Sequence, residues 1–419
     1  MSSARASGVS EVWPSAPDLP SHNARLAAIP SAPRSIPGRS TAALEVGCIT
    51  HPLALGRYQT PLRYPGAKTG LSSLISQLIE AAKKSSQTRN VDLLVEPFAG
   101  GASTSLRLVG AGIVNRILLA DADPLVAAFW QVAASDTENL VDRMTEEHAL
   151  YVSKGGATAL GRWDFWRSWI PAPGMSESTA RFETAMKCLF LNRTTFSGIL
   201  HGSAGPIGGR RQESKYSIGC RYNVDALAER IRYVGQLYDA NRLVDVWCKD
   251  WKDTLADVPE WYADLIPDRV LAYLDPPYLE KSQKLYQTSF EVHGYPNAPV
   301  ADLQWDDNLL HYRLAEYLSH RMQFRWVLSY DAKPELLLDP GLYAANRMEP
   351  DRTEREMLGV KRWNISKRVV TLRYTASARQ GRGAAEEVLI TTLPPSTVPL
   401  NDDFRPVDTI IKSEKAASS

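Results

Sequence analysis

Apolar residues recur along this chain in two rhythms. Short runs rich in β-branched and aromatic side chains occur at Val91-Asp92-Leu93-Leu94-Val95, Ile117 to Ala120, Leu243 to Cys248, Arg269 to Leu274 and Arg325 to Tyr330. Each predicts a strand, and Arg269 to Leu274 reads as one buried on both faces of a parallel sheet. Between them lie helical patterns. Leu71, Leu74, Ile75, Leu78, Ile79 and Ala82 share one face, and further helices are predicted through Leu106 and Leu108, over Leu125 to Ala134 and over Leu309 to His320. Arg368 to Tyr374 and Val388 to Thr392 read as closing strands. Alternation of strand and helix predicts an α/β fold.

The alternation stops between Ser135 and Asn241, where the pattern is mostly helical with loops, including an apolar helix from Phe182 to Leu191. The expected layout is an α/β domain over 57–134 and 242–399, with residues 135–241 inserted as a second domain. Residues 1–56, rich in Ser, Ala, Pro and Arg, and residues 400–419 lack periodicity and read as disordered tails. The prolines of the first tail argue against an amphipathic targeting helix. Residues 279–308, polar and aromatic without a period, read as a mobile loop.

Composition narrows this picture. With 419 residues, 44% hydrophobic and 23% charged, the chain can bury a large core. A net charge of +1 excludes a globally polyanion-seeking protein, so any nucleic-acid surface must be a local patch. One such patch stands at 193–232, where Arg193, Arg210, Arg211, Lys215, Arg221, Arg230 and Arg232 face only Glu213, Asp225 and Glu229. The stretch is glycine-rich and carries Phe196, Tyr216 and Tyr222, a combination suited to phosphates and bases. Cys48, Cys188, Cys220 and Cys248 are too widely spaced for a metal pattern or a disulfide framework, which fits a cytoplasmic protein. No apolar run is long enough for a membrane span. Trp163, Phe165, Trp166 and Trp169 read mostly as helical-domain core.

The candidate chemistry centres on Asp275-Pro276-Pro277-Tyr278, directly after the Arg269 to Leu274 strand. Two prolines end the strand and hold an acid and a ring on stiff backbone where open α/β sheets bind ligands. The acid and a proline carbonyl can accept the two protons of a flat amine, and the ring can stack on it. Glu96-Pro97-Phe98-Ala99-Gly100-Gly101 places a glycine turn between a strand and a helix, where backbone can approach a ligand. Asp121 and Asp123 end the next strand, about where a ribose-binding acid is expected, although either could cap the following helix. Arg63-Tyr64-Pro65-Gly66-Ala67-Lys68 is a basic turn before a helix.

These motifs, in this order over residues 58–392, resemble the Dam-type adenine-N6 DNA methyltransferases. The resemblance implies a Rossmann-like sheet of about seven strands that binds S-adenosylmethionine, with a target-recognition domain inserted between its halves. It implies cofactor contacts at Tyr64, Lys68, Glu96, Pro97, Phe98, Gly100, Gly101, Asp121 and Asp250, the last in Cys248-Lys249-Asp250-Trp251. It implies catalysis by Asp275, Pro276, Pro277 and Tyr278 on a base flipped out of the duplex, with no metal. Asn192-Arg193 through Gly198 is similar to the family's helix-to-loop segment, and Asn192, Arg193, Arg210, Arg211, Lys215 and Arg221 are expected to meet double-stranded DNA. Leu328-Ser329-Tyr330 and Glu387-Val388-Leu389-Ile390 also fit the family. A cognate restriction enzyme is a candidate partner. Ala67 and Asp123 stand where the family usually has glycine and asparagine. Alternatives are cytosine-N4 methylation and an inactive DNA-binding protein on the same scaffold.

Overall fold

The structure is a computed structural model, and it describes residues 60–63, 70–84, 90–276, 307–331, 342–343, 364–373 and 384–407. The expected tail over 1–56 and loop over 279–308 lie outside the described residues, as do Tyr64, Lys68, Pro277 and Tyr278.

The described strands are β1 (Leu93–Glu96), β2 (Arg116–Asp121), β3 (Leu243–Cys248), β4 (Val270–Leu274), β5 (Arg325–Asp331), β6 (Ser366–Arg373) and β7 (Ala384–Thr391). They form one seven-stranded sheet in the order β3-β2-β1-β4-β5-β7-β6. β1 to β5 run parallel, and β7 lies antiparallel between β5 and β6. The chain lays strands outward from β1 in one direction and then returns to add β4 on its other side. The carboxyl ends of β1 and β4 therefore meet at the switch point, the usual ligand crevice of an open α/β sheet. At the opposite ends of these two strands Arg269 is ion-paired with Asp92.

Successive side chains of the central strands enter opposite cores, as the twofold strand period requires. Leu94, Ile117, Leu119, Leu271 and Tyr273 pack into one. Leu93, Val95, Leu118, Ala120, Ala272 and Leu274 pack into the other. The helices are α1 (Leu71–Lys83), α2 (Ser103–Gly110), α3 (Pro124–Ser135), α4 (Thr137–Leu150), α5 (Gly156–Ser168), α6 (Glu177–Thr194), α7 (Val224–Asp239), α8 (Trp251–Trp261) and α9 (Asp307–His320). Helices α1 to α7 contribute to the first core, and α8 and α9 to the second.

The helices of residues 135–241 share that first core. Helix α3 packs on α6 and α7, and α4 packs on α7. The four aromatics divide as their exposure dictates. Trp163 and Trp166 are buried, whereas Phe165 is 42% exposed. The expected tail beginning at 400 starts too early. Phe404 is fully buried, and Val369 and Arg405 exchange both backbone hydrogen bonds, at 2.8 and 2.9 Å. A buried aromatic ring anchors this segment against the edge of β6.

Candidate active site

Strand β1 ends in Glu96 and the chain turns sharply. Gly100 has φ +44° and Ala102 has φ +46°, both left-handed; the first suits a glycine, whereas the second strains an alanine. Three neighbours hold the turn in place. Ala99 N donates to Ala120 O at 2.9 Å. Trp130 Nε1, from α3, donates to Gly100 O at 2.9 Å. Gly100 N donates to Asp121 Oδ2 at 2.8 Å.

Asp121 also accepts from Asp123 N through Oδ1, at 2.9 Å. Both its oxygens thus fasten the ends of β1 and β2 together. Burial raises the Asp121 carboxyl to about 7, with the charge of Asp123 adding and the two backbone bonds opposing. Asp123 is the capping aspartate. Its Oδ1 accepts from Leu125 N at 2.9 Å, and its Oδ2 lies 2.6 Å from His201 Nε2. Of the two roles foreseen for this pair, helix capping falls to Asp123. Asp250 follows β3 and caps α8, accepting from Asp253 N at 2.8 Å.

Strand β4 delivers Asp275, half-buried, and Pro276, buried, beside the turn. Ser329 Oγ of β5 donates to Asp275 Oδ1 at 3.2 Å and lies 3.1 Å from the Tyr273 hydroxyl. Ser329 thus orients the candidate catalytic carboxylate. Across the switch point, Glu96 is buried, and its Oε2 has no hydrogen-bond partner among the described residues. Burial pushes its carboxyl up to about 8, and the charges of Asp275 and Asp121 push in the same direction.

Following the strand order, Asp250, Asp121, Glu96 and Asp275 succeed one another along the carboxyl edge of the sheet. Burial and neighbouring charge hold Glu96 and Asp121 toward their neutral forms, and a cationic ligand in the crevice would favour their charged ones. Among the described residues no group of three or more His, Cys, Asp or Glu side chains could hold a metal ion. None of their helices is long and apolar enough to cross a membrane.

Two residues expected at a DNA surface do another job. Asn192 is fully buried and Arg193 is 5% exposed. Asn192 clamps the backbone of Arg63, accepting from its N at 2.7 Å and donating to its O at 2.6 Å. It also donates to Gly198 O at 3.0 Å. Arg193 donates to the Pro61 carbonyl. Polar side chains at the end of a helix that runs under the chain are used up by backbone groups, so this pair positions the strap 60–63 rather than reaching a duplex. Tyr222, with 2% exposure, is likewise core, packed on Phe190 and His148.

Arg211, Lys215 and Arg221 are exposed, as are Phe196 at 65% and Tyr216 at 55%. Arg210 is tied to α5 by an ion pair with Asp164 at 2.8 Å, and its guanidinium lies over the Trp163 ring. His201 and Trp130 were not foreseen as site residues. A lone histidine in a loop and a tryptophan in an apolar helix carry no local sequence signal of their partners.

A seven-stranded, mostly parallel α/β sheet with a clamped glycine turn and an Asp-Pro at its switch point is consistent with a Rossmann-like methyltransferase. Residues 64–204 match the D12 class N6 adenine-specific DNA methyltransferase family. No protein of curated function matches the chain. The matched segment is in line with the Dam-type resemblance and supports methylation of adenine N6 in DNA as the activity. Adenine N6 is the target of the matched family, which favours it over the cytosine-N4 alternative.

Proposed function

We propose that the ends of β1 and β4 form one site in which S-adenosylmethionine and an extruded adenine of duplex DNA meet, with Asp275 as the catalytic carboxylate. The observation that carries this reading is the adjacency of the clamped Gly100 turn and the Ser329-oriented Asp275 carboxylate at the switch point. Glu96, Asp121 and Asp250, with Tyr64, Lys68, Pro97, Phe98 and Gly101 of the turn motifs, would hold the cofactor. The cluster of carboxyls suits its positive charge. S-adenosylmethionine would supply the activated methyl group.

The exocyclic amine of adenine is a poor nucleophile because its lone pair is delocalised into the ring. The Asp275 carboxylate and the Pro276 carbonyl accept its two hydrogens and draw charge onto nitrogen. Such bonds accelerate the reaction insofar as they strengthen in the transition state. Asp275 is also the acceptor for the proton that nitrogen sheds. Tyr278 stacks on the base, which must leave the helix to be reached. Arg211, Lys215 and Arg221, with the Phe196 and Tyr216 rings, supply the surface for the duplex, and Arg210 stiffens it from α5.

Two measurements test the reading together. Calorimetry should show saturable binding of S-adenosylmethionine to the free protein, and digestion of treated duplex DNA should yield N6-methyladenine by mass spectrometry. Absence of cofactor binding, or a methyl group on cytosine N4, would contradict it.

A further inference from the structure

The loop that follows α6 reaches across to the end of β2. Its base is closed. Thr195 and Pro206 form an isolated antiparallel bridge, Phe196 N donates to Gly205 O at 2.9 Å, and Ile207 N donates to Thr194 O at 2.8 Å. Two anchors seat the loop on the helices. Leu200 is buried in the first core. Arg167 of α5 donates to the carbonyls on either side of His201, to Leu200 O at 2.8 Å and to Gly202 O at 2.5 Å. The backbone around His201 is therefore held from the α5 side, while its half-buried imidazole turns to α3.

There His201 Nε2 lies 2.6 Å from Asp123 Oδ2. This bond is the first of three in series. Asp123 N donates to Asp121 Oδ1 at 2.9 Å, and Gly100 N donates to Asp121 Oδ2 at 2.8 Å. Both aspartates are buried, so a broken link in the series is costly to leave unmade. The series runs from the loop that bears the exposed Phe196 to the left-handed turn at Gly100.

Capping α3 does not account for the histidine. Leu125 N uses Asp123 Oδ1, which leaves Oδ2 for a residue 78 positions further along the chain. The hydrogen bond to Asp123 holds the imidazole above its usual pKa, against burial and the charges of Arg167 and Lys187. A protonated imidazole on a buried carboxylate makes a charge-assisted bond, stronger than a neutral one.

We propose that His201 is a positioning residue that couples the two ligands. Through Asp123 and Asp121 it links the placement of the loop 196–205 to the Gly100 turn, so that bound duplex DNA and bound cofactor each raise the protein's affinity for the other. The inference rests on the methyltransferase reading and adds to it the side chain through which the two ligands communicate.

The test is calorimetry with S-adenosylhomocysteine, the unreactive demethylated cofactor, on the full chain with and without a saturating duplex that the wild type methylates. The ratio of the two affinities measures the coupling. In the wild type it should reach at least about fivefold, the lower end of ordinary coupling between sites, and in His201→Ala it should fall to about 1. His201→Gln keeps an N–H donor without the charge and should restore part of the ratio. Asp123→Ser keeps a helix cap but is too short to meet the imidazole, and it should behave as His201→Ala does. Leu200 and Arg167 hold the loop without His201; should His201→Ala nonetheless fail to fold, the other two variants carry the comparison. A histidine with a merely structural role would lower the melting temperature and leave the ratio unchanged, which would overturn the inference. A wild-type ratio of about 1 in a protein that still forms N6-methyladenine would overturn it too, with the enzyme reading intact. A wild type that neither binds S-adenosylhomocysteine nor forms N6-methyladenine would bring down the parent reading, and the coupling with it.

Discussion

At the scale of single residues, burial keeps Glu96 and Asp121 from ionising freely. Glu96 has its carboxyl raised to about 8, whereas an unfolded glutamate titrates near ~4.3. Between those values the folded chain keeps a proton that the unfolded chain has lost. The contribution is fully present below the unfolded pKa and is lost as pH rises through the folded one, so stability falls with rising pH across that window. Asp121, raised to about 7, acts in the same direction. Glu96→Gln should therefore flatten the decline in urea midpoint between about pH 5 and pH 8 and leave a remainder from Asp121. A variant declining as steeply as the wild type would remove Glu96 from this role. Asp275, Glu96 and Asp121 were legible in the sequence because each closes an apolar strand. Asn192 and Arg193 were misread because a polar pair at a helix end looks like surface until the strap above it is seen.

At the scale of elements, the decisive piece is the strap that α6 holds. Asn192 makes three side-chain hydrogen bonds to backbone, two to Arg63 and one to Gly198, and so ties the strap 60–63 to the turn that follows α6. Asn192→Ala orphans these groups in a buried setting and should cost about 1–3 kcal/mol, read as a lower denaturant midpoint. Unchanged stability would mean that the strap is held by other means. Periodicity found the strands well: Leu243–Cys248 is as expected, and β4 begins one residue late. It read α6 as starting at Phe182, whereas the helix starts at Glu177, where Ser176 caps it. A polar first turn dilutes the apolar signal that marks a helix. Helix α7 has a clear apolar stripe but was hidden among basic and glycine-rich residues that drew the reading toward a loop.

At the scale of the whole molecule, strand order brings together what the sequence separates. Glu96 and Asp275 lie 179 positions apart in the numbering, yet β1 and β4 are neighbours. The sequence could announce an α/β sheet but not that the helices of 135–241 would share their core with it, because apolar faces do not name their partners. The near-neutral net charge likewise conceals the basic stretch at 193–232, of which Arg211, Lys215 and Arg221 are exposed. Neutralising Arg211 and Lys215 together should weaken duplex binding across all sequences and reduce the salt slope by about 2. An unchanged slope would place the duplex elsewhere.

The measurement closest to the centre of this account is single-turnover methyl transfer to duplex DNA by Asp275→Ala, alongside its affinity for S-adenosylmethionine. The rate should fall by at least about a hundredfold, as when a preorganised transition-state hydrogen bond is removed, while cofactor affinity stays near the wild-type value. Near-normal turnover in this variant would contradict the assignment of Asp275 and, with it, the meeting of the two strand ends as the place of reaction.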